Sequence, residues 1–497
     1  MLFNSFIFFI LLAIILPAFY LLPGKKSKQL FLLFSSYFFY AYWDWRFCGF
    51  LLLLTLVNYF VGKYLEIPKS NDGISNRKLV FIIGIFFNVG ILVFFKYSNF
   101  FIDSLNMIFH QFDSKLDMLH VNIIVPLGIS FFIFQSLAYI IDVYFQRVDP
   151  SKNFIEFSLF IAFFPKSIAG PIERAGNLLP QLKKELKPSK LQIKEGITLI
   201  VMGLFRKVMI GDTASKYVDH IFGNLEYYKS IEILCGLFLF SVQIYADFSG
   251  YTYIARGVSK LFGIEIMKNF DQPYFSKNIT EFWKRWHISL STWLRDYLFL
   301  PLSYSISRKL PKEKYFNIKS EYIIYVYSTM ITFTLCGLWH GASWNFVIWG
   351  FLHGVFLSLH RILFVNRKSI VRKTTNKIFK PFKPMVKFVV SILFTYLIVV
   401  FAWTFFSIDS WASINLFFNK IINWESSEYS LWFIKVTFTY VSVILLFDIF
   451  EYRTKKKTFI NNIKSQYFQY GILVTMFVIT LLYMFQGEAS PFVYFAF

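Results

Sequence analysis

The sequence is poor in charge. Only 16% of its 497 residues are Asp, Glu, Lys or Arg, whereas 56% are hydrophobic and 22% are aromatic. A soluble chain carries about 25% charged residues, because its surface has to be hydrated. The shortage of charge therefore excludes an ordinary soluble protein and predicts an all-α polytopic integral membrane protein.

Cysteine is scarce as well, and several catalytic motifs are missing. Cys48, Cys235 and Cys336 lie far apart and form no CxxC pair, so neither a disulfide framework nor a metal site is indicated. The chain has no GxSxG elbow, no Walker lysine loop and no HExxH pair. A soluble serine hydrolase, an ATP-driven pump and a zinc protease are therefore poorly supported.

Acidic residues are few. The chain has 29 Asp and Glu but 51 Lys and Arg, which gives a formal net charge of +22. Such a charge could indicate nucleic-acid binding, but the cations lie in short runs between apolar segments, as the positive-inside rule requires of cytoplasmic loops. We therefore expect contact with a lipid bilayer and no nucleic-acid partner. Loops assigned to the inside hold 40 of the 51 basic residues, at 24–28, 63–78, 146–153, 172–194, 256–285, 306–319, 361–387 and 451–464.

Apolar segments near the length of a membrane-crossing helix, about 20 residues, recur along the whole chain. They predict about twelve spans, within a range of 11 to 13. Because no internal repeat or low-complexity linker separates them, we expect one integral domain over residues 1–497. The segments are 2–22, 31–43, 48–62, 79–95, 121–145, 191–210, 233–254, 322–339, 344–363, 389–406, 431–450 and 470–485.

Two further segments are apolar without the pattern of a membrane-crossing helix. Residues 154–168 are too few and run into Gly170 and Pro171, while residues 281–302 mix cations and His287 with six aromatic residues. Irregular backbone at membrane depth is tolerated only where protein or a water-filled cavity surrounds it. We therefore expect two re-entrant or interfacial segments that border an internal cavity.

The stretch 331–350, ITFTLCGLWHGASWNFVIWG, contains one imidazole, His340, within a long apolar run. A polar group at membrane depth is costly unless it lies in a polar cavity or has a partner, so His340 is a candidate site residue. Gly337 and Gly341 would permit close backbone approach beside the imidazole. A purely structural histidine is the alternative.

Five segments carry motifs in a fixed order. They are PLGISFFIFQSLAYIIDVY (126–144), FFPKSIAGPIER (163–174), YADFSGYTYIARGVSKLFGI (245–264), FWKRWHISLSTWLRDYLFLPL (282–302) and GLWHGASWNFVIWG (337–350). Together they resemble the membrane-bound O-acyltransferase (MBOAT) family, most closely its bacterial branch that contains the alginate O-acetylation protein AlgI. Within the family, the chain resembles the D-alanyl transfer protein DltB more than it resembles the eukaryotic lipid enzymes. The likeness covers a core of about 121–360, followed by C-terminal helices at 389–485.

This resemblance implies a helical bundle around a central tunnel, with an acyl donor on the cytoplasmic side and an acceptor on the outside. The two characteristic histidines of the family correspond to His340, assigned as catalytic, and His287, which assists or positions. The donor would be acetyl-CoA, with no tightly bound cofactor and no metal.

The resemblance also implies a bacterial inner-membrane protein that acetylates an extracytoplasmic polysaccharide. An extracytoplasmic SGNH-type esterase or transferase would be its partner. Two alternatives stay open at this point: D-alanyl transfer to teichoic acid as in DltB, and a polysaccharide or lipid transporter, whose broken helices would also surround a polar cavity.

Acyl transfer to a hydroxyl needs a base near neutral pKa, and imidazole is the side chain suited to this task. His340 is the candidate base. Asn345 could orient the imidazole or hold the acyl oxygen, although a capping or interhelical role is the simpler interpretation. Trp339, with Trp344 and Trp349, could line a donor channel or simply pack.

Further candidates are charged, thiol or imidazole groups close to these motifs. Asp247 needs a partner such as Arg256 or a water-filled cavity, and a structural pair is slightly favoured over a substrate contact. Arg285 and Arg295, with Lys284, could bind the phosphates of coenzyme A or could be cations at the membrane interface. The remaining three, Cys336, His353 and His360, are interpreted as packing or interfacial residues.

Overall fold

The computed structural model describes residues 2–66, 71–112, 118–121, 123–167, 170–365 and 384–486. Across these ranges the chain is helical apart from one hairpin of two short antiparallel strands, β1 (Lys314–Tyr315) and β2 (Ile318–Lys319). The predicted all-α class is therefore confirmed.

The α-helices share a high content of apolar residues and differ widely in length. In the first half of the chain they are α1 (Phe6–Leu21), α2 (Gly24–Asp44), α3 (Arg46–Tyr64), α4 (Asn71–Leu92), α5 (Ser98–Gln111), α6 (Ile129–Tyr144), α7 (Phe154–Ala162), α8 (Phe164–Ser167), α9 (Ala175–Leu182), α10 (Lys190–Leu204), α11 (Thr213–Gly223) and α12 (Ser230–Leu261).

The second half contains the helices that carry both candidate histidines. They are α13 (Ile279–Arg285), α14 (Ile288–Leu294), α15 (Leu300–Lys309), α16 (Ser320–His340), α17 (Trp344–His360), α18 (Pro384–Ser407), α19 (Trp411–Ile422), α20 (Ser430–Thr454) and α21 (Gln466–Gln486). Several helices are joined or extended by π-helical segments, at Val93–Tyr97, Phe205–Asp212, Arg295–Phe299 and Arg361–Val365.

Eight helices in the described ranges are long and apolar enough to cross a bilayer. Two shorter apolar helices are α1 and α6. The predicted number of about twelve is higher, in part because two predicted spans lie in helices that carry charge. The predicted span 31–43 lies in α2, which begins with three lysines, and 191–210 runs from α10 into a π-helical segment with Arg206 and Lys207. The eight helices are Arg46–Tyr64, Asn76–Gln111, Ser230–Leu261, Ser320–His340, Trp344–Phe364, Met385–Ser407, Ser430–Thr454 and Gln466–Phe485.

The two segments that were predicted not to be ordinary spans are broken into short helices. The first consists of α7 and α8, which are separated at Phe163, and its side chains are almost entirely buried. The second consists of α13, α14 and α15, with a sharp change of direction at Trp286 and His287. Their position relative to a bilayer stays a prediction.

The described residues divide into two compact units. The first unit lies within 1–204, 250–267 and 465–491. In it the buried Lys166 donates hydrogen bonds to Gln135 Oε1 (2.6 Å) and to the Ile161 carbonyl (2.7 Å), so that the short helices contact α6. The second unit lies within 205–249 and 268–464 and contains all the candidate site residues. The single integral domain stays a prediction.

In the second unit α16 and α17 form an antiparallel hairpin whose backbones touch. A Cβ atom added at Gly350 would lie 2.1 Å from the Phe333 carbonyl oxygen, and one at Gly337 would lie 2.0 Å from the Phe346 carbonyl oxygen. Small residues allow this close approach, which is a common way of packing membrane helices. The hairpin turns between His340, the last residue of α16, and Ser343, the N-cap of α17.

Substitution of Gly350 by alanine tests this contact. We expect Gly350→Ala to lower the free energy of unfolding by about 1–3 kcal/mol, because overpacking forces the two helices apart. The measurement is thermal unfolding of the detergent-solubilised protein by size exclusion. Gly471→Ala is the matched control, since a Cβ atom at this helical glycine meets nothing within 4 Å. Equal melting temperatures for the two variants would contradict the close contact.

Candidate functional site

His340 lies at the turn of the α16–α17 hairpin and is almost completely buried, with 3% of its surface exposed. Three aromatic rings pack nearly perpendicular to the imidazole. Ring centroids lie 4.8 Å away for Trp339, 5.0 Å for Trp349 and 5.4 Å for Phe406. The imidazole is therefore held in a cage of aromatic rings.

His287 lies at the break between α13 and α14 and is fully buried. Its backbone has a φ of 41°, in the left-handed region that non-glycine residues rarely adopt. Two backbone hydrogen bonds to the segment 269–271 hold the two sides of the break. Ile288 N donates to the Asn269 carbonyl (2.9 Å), and Asp271 N donates to the Arg285 carbonyl (3.0 Å). Backbone strain of this kind is concentrated at functional sites.

The two imidazoles lie close together, with ring centroids 6.5 Å apart. Trp339 packs against both, at 6.0 Å from His287 and 4.8 Å from His340. The ring of Phe248 lies 4.7 Å from His287. Two histidines separated by 53 positions are thus brought to one aromatic cage, and their catalytic roles stay a prediction.

More aromatic residues surround the cage. Trp403 stacks on Trp349 with centroids 5.6 Å apart and contacts Trp286 at 5.3 Å. Each of these three tryptophans has only 1% of its surface exposed. Such a wall keeps water from the imidazoles, and exclusion of water strengthens electrostatic interactions with a bound substrate. Of the other tryptophan candidates, Trp344 is half exposed and lies outside the cage.

Asn345 has an interhelical role in the structure. Its side-chain amide nitrogen donates to the carbonyls of Ile408 (2.8 Å) and Asp409 (3.0 Å), just after α18 ends. The amide thus ties the start of α17 to α18, which supplies Phe406 to the cage. Asn345 therefore affects the site by holding α17 and α18 in position relative to each other.

Asp247 forms a buried ion pair in the structure. Lys207 Nζ lies 2.6 Å from Asp247 Oδ1 and 2.6 Å from Asp212 Oδ1, and Lys207 is 1% exposed. The sequence suggested Arg256 as a partner but did not single out Lys207. The pair favours the structural interpretation of Asp247, because a buried lysine needs its carboxylates.

A polar pocket of about 720 Å³ lies at the ends of α16 and α17 that adjoin the basic loops. Arg285 and Lys284 line it, whereas Arg295 does not; Arg295 pairs with Asp296 (2.8 Å) and is 61% exposed. Arg285 pairs with Glu281 at 2.8 Å. The lining residues are Asp271, Asn278, Thr280, Glu281, Lys284, Arg285, Tyr325, His360 and Arg361.

The pocket contains charges of both signs. Burial alone would raise the pKa of Asp271, but Lys268, together with Lys457 and Arg285, brings this pKa below its ordinary value. The Asp271 carboxylate is therefore ionised at neutral pH. Three cations and two carboxylates line the pocket, and Lys284 is the most exposed of the cations.

Sequence reasoning missed two kinds of residue at the site. Phe406 and Trp403 come from α18, more than 60 positions after His340, and nothing in their local sequence marks them. His353 was interpreted as structural, yet its ring lies 4.8 Å from that of Trp349. The i,i+4 spacing of Trp349 and His353 on one helix face was the signal that could have identified it. Cys336, one turn before His340, is fully buried, which suits a packing residue.

The ion pair of Asp247 generates a prediction. We expect Asp247→Asn to lower the free energy of unfolding by about 2 kcal/mol, because the buried Lys207 ammonium loses a charged hydrogen-bond partner. Asp296→Asn, in the exposed pair with Arg295, is the matched control and should cost less than about 1 kcal/mol. Thermal unfolding in detergent measures both. A stable Asp247→Asn protein with a raised KM for the acceptor would instead assign Asp247 to substrate binding.

Comparison with known proteins agrees with this geometry. Residues 144–403, which include both histidines, match the membrane-bound O-acyltransferase family. The chain is 37% identical to a probable alginate O-acetylase AlgI of Pseudomonas putida over 410 residues, 82% of this chain and 78% of that protein. It is 34% identical to a peptidoglycan O-acetyltransferase of Helicobacter pylori, over 73% of this chain and 70% of that protein. A teichoic acid D-alanyltransferase of Bacillus subtilis is 31% identical over 48% of this chain and 60% of that protein. The chain therefore belongs to the membrane-bound O-acyltransferase family and is a multi-pass membrane enzyme of its AlgI-like branch.

Proposed function

We propose that this O-acyltransferase moves an acetyl group from cytoplasmic acetyl-CoA to a hydroxyl of an extracytoplasmic polysaccharide, with His340 as the base. The observation that carries the proposal is the pair of buried imidazoles, His287 and His340, with ring centroids 6.5 Å apart in one aromatic cage. Imidazole is the side chain suited to accept and return a proton near neutral pH.

In the proposed reaction one imidazole, that of His340, both accepts and returns the proton. The acceptor hydroxyl oxygen attacks the thioester carbonyl while His340 removes the hydroxyl proton. The carbonyl carbon then gains a bond to oxygen and loses its bond to sulfur, and His340 returns the proton to the departing thiolate. An ester and a free thiol result, and His340 is neutral again.

His287 has a positioning role in this proposal. Its backbone is left-handed, its ring centroid lies 6.5 Å from that of His340, and Trp339 contacts both imidazoles. An imidazole there is suited to donate a hydrogen bond to the carbonyl oxygen on which negative charge develops.

The polar pocket is the proposed entrance for the donor. It adjoins the basic loops assigned to the cytoplasm by the distribution of lysine and arginine. Lys284, Arg285 and Arg361 offer cationic groups to the phosphates of coenzyme A. From Tyr325, which lines the pocket, to His340 the axis of α16 rises about 22 Å, so an extended thioester arm would reach the cage.

The acceptor is proposed from the relatives. The P. putida protein is named for alginate and the H. pylori protein for peptidoglycan, and both polymers present hydroxyls outside the inner membrane. D-alanyl transfer to teichoic acid is the second candidate, which the B. subtilis relative supports over less than half of this chain. The third alternative was a polysaccharide or lipid transporter. Because the chain belongs to an acyltransferase family, nothing supports this alternative.

The proposal also includes a partner and a location. An extracytoplasmic SGNH-type esterase or transferase would complete delivery of the acetyl group, as the resemblance to the AlgI branch implies. The location would be the inner membrane of a bacterium. No tightly bound cofactor and no metal take part in the proposed reaction.

The first test is transfer of label from radiolabelled acetyl-CoA in inverted membrane vesicles. Vesicles that contain the intact chain, with the partner and the polysaccharide enclosed in the lumen, should acetylate the polysaccharide from acetyl-CoA added outside. His340→Ala should reduce transfer by at least about 100-fold, since general base catalysis contributes 10²–10⁴-fold. His287→Ala is expected to retain a larger residual activity.

The control for these variants is the amount of folded protein, measured by size exclusion. Full transfer by folded His340→Ala would remove the base assignment. If the intact chain used a D-alanyl carrier thioester and no acetyl-CoA, the second candidate would replace the first. Alginate, peptidoglycan and teichoic acid, enclosed in separate vesicle preparations, distinguish the acceptors.

The pocket generates a separate prediction. Lys284→Ala should raise the KM for acetyl-CoA about five- to tenfold, because a charged hydrogen bond to phosphate is lost. The KM for acetyl-pantetheine, which has no phosphate, should not change. Arg295→Ala is the matched control, since Arg295 lies outside the pocket. An equal effect of Lys284→Ala on both donors would contradict phosphate binding there.

A further inference from the structure

His353 is a third buried histidine in the second unit, and the proposed chemistry does not use it. It lies on α17, and none of its surface is exposed. The indole nitrogen of Trp283 lies 3.3 Å from its Nδ1 atom. Because an indole N–H can only donate, Nδ1 must accept this hydrogen bond and the proton of the neutral ring must be on Nε2.

The Nε2–H group of His353 has no acceptor among the residues that the structure describes. The surrounding rings are hydrocarbon or already engaged: Phe282 lies parallel to the imidazole at 6.4 Å, and Phe356 lies at 6.2 Å. Most buried donors in proteins have a partner, because an unsatisfied one retains its full cost of desolvation. A donor that the protein has oriented and left unsatisfied is suited to a ligand.

His353 lies between the polar pocket and the histidine cage. Toward the cage, its ring contacts Trp349, which in turn contacts His340. Toward the pocket, His360 follows seven residues later on the same helix face, about 10 Å along the axis. His360 lines the pocket, where its Nδ1 lies 3.0 Å from Thr280 Oγ1.

Trp283, the hydrogen-bond partner of His353 Nδ1, also lies between the pocket and the cage. Trp283 is adjacent in sequence to Lys284, a lining residue of the pocket, and its ring lies 5.9 Å from that of Trp349. One face of α13 thus packs on one face of α17 between the pocket and His340, and the polar ring of His353 lies in this contact.

We propose that His353 binds the acyl donor, its Nε2–H donating a hydrogen bond to an amide carbonyl oxygen of the arm between the phosphates and the thioester. This inference rests on the proposed function. The amide-bearing arm is common to coenzyme A and to a carrier protein with a phosphopantetheine group, and the indole and phenyl rings beside His353 offer apolar surface to its methylene groups.

His353 is a binding residue and has no part in proton transfer. Its Nδ1 is occupied by Trp283 and its Nε2 already carries a proton, so neither nitrogen can accept another. The hydrogen bond is made equally in the bound substrate and in the transition state, because the amide does not react. Its loss should therefore appear in KM and leave kcat almost unchanged.

Two substitutions separate this role from packing. In His353→Asn the side-chain oxygen can still accept from Trp283, but the side chain is too short to reach the Nε2 position. In His353→Gln the longer amide places an N–H donor near that position. For acetyl-CoA we expect a KM about five- to tenfold higher for Asn and within about twofold of the intact chain for Gln.

A truncated donor supplies the second comparison. The acetyl thioester of a simple alkyl thiol has no amide, so its kcat/KM should be the same for the intact chain and for His353→Asn. The carrier-bound thioester, measured in parallel with acetyl-CoA, identifies which source of the arm the protein uses. The donor with the higher kcat/KM, acetyl-CoA or the carrier-bound thioester, is the one that supplies the arm.

The outcomes are distinguishable. Unchanged KM in folded His353→Asn, or the same loss with the truncated donor, would overturn the binding role while the proposed function stands. Reduced amounts of folded protein for both variants with unchanged KM would make His353 a packing residue. Absence of transfer from either donor by the intact chain would overturn the proposed function and this inference with it.

Discussion

Contact between the backbones of α16 and α17 is the constraint on which the site depends. Gly337 and Gly350 leave no room for a Cβ atom, so the two helices have only one close arrangement. This arrangement fixes the hairpin turn at which His340 lies and the direction in which α17 leaves it. The face of α17 that carries Trp349 and His353 is consequently next to the imidazole, and the site is built on helices, which are more rigid than loops.

A second constraint acts on the other histidine. His287 occupies a left-handed conformation that costs free energy. Backbone hydrogen bonds on both sides of the break hold it there: Ile288 N donates to the Asn269 carbonyl, and Asp271 N donates to the Arg285 carbonyl. A regular helix through this segment would carry the side chain past the cage. The break thus uses strain to bring an imidazole from a short helix to 6.5 Å from His340.

Sequence reasoning predicted both histidines as site residues and the broken segment at 281–302, because each leaves a local signal: a polar residue in an apolar run, or cations where a span would exclude them. The break is observed, and the catalytic roles of the histidines stay a prediction. Sequence reasoning predicted the all-α class from the shortage of charge and the long apolar segments. It could not identify Phe406 as a neighbour of His340 or Lys207 as the partner of Asp247, since these contacts depend on how separate helices pack. The role of His353 escaped it because Trp283, which fixes the tautomer, lies 70 positions earlier.

The buried charges also contribute to the cage, through the rotation of one helix. Asp247 and Phe248 are consecutive residues of α12 and project about 100° apart, since a helix has 3.6 residues per turn. Lys207 holds Asp247 at 2.6 Å, and this ion pair fixes the rotation at which Phe248 contacts His287. Two residues earlier, Tyr245 donates to Asp448 at 2.9 Å while its ring contacts Trp286, the neighbour of His287. Charged groups thus set the position of α12, and aromatic rings such as Phe248 make the contacts with the imidazoles.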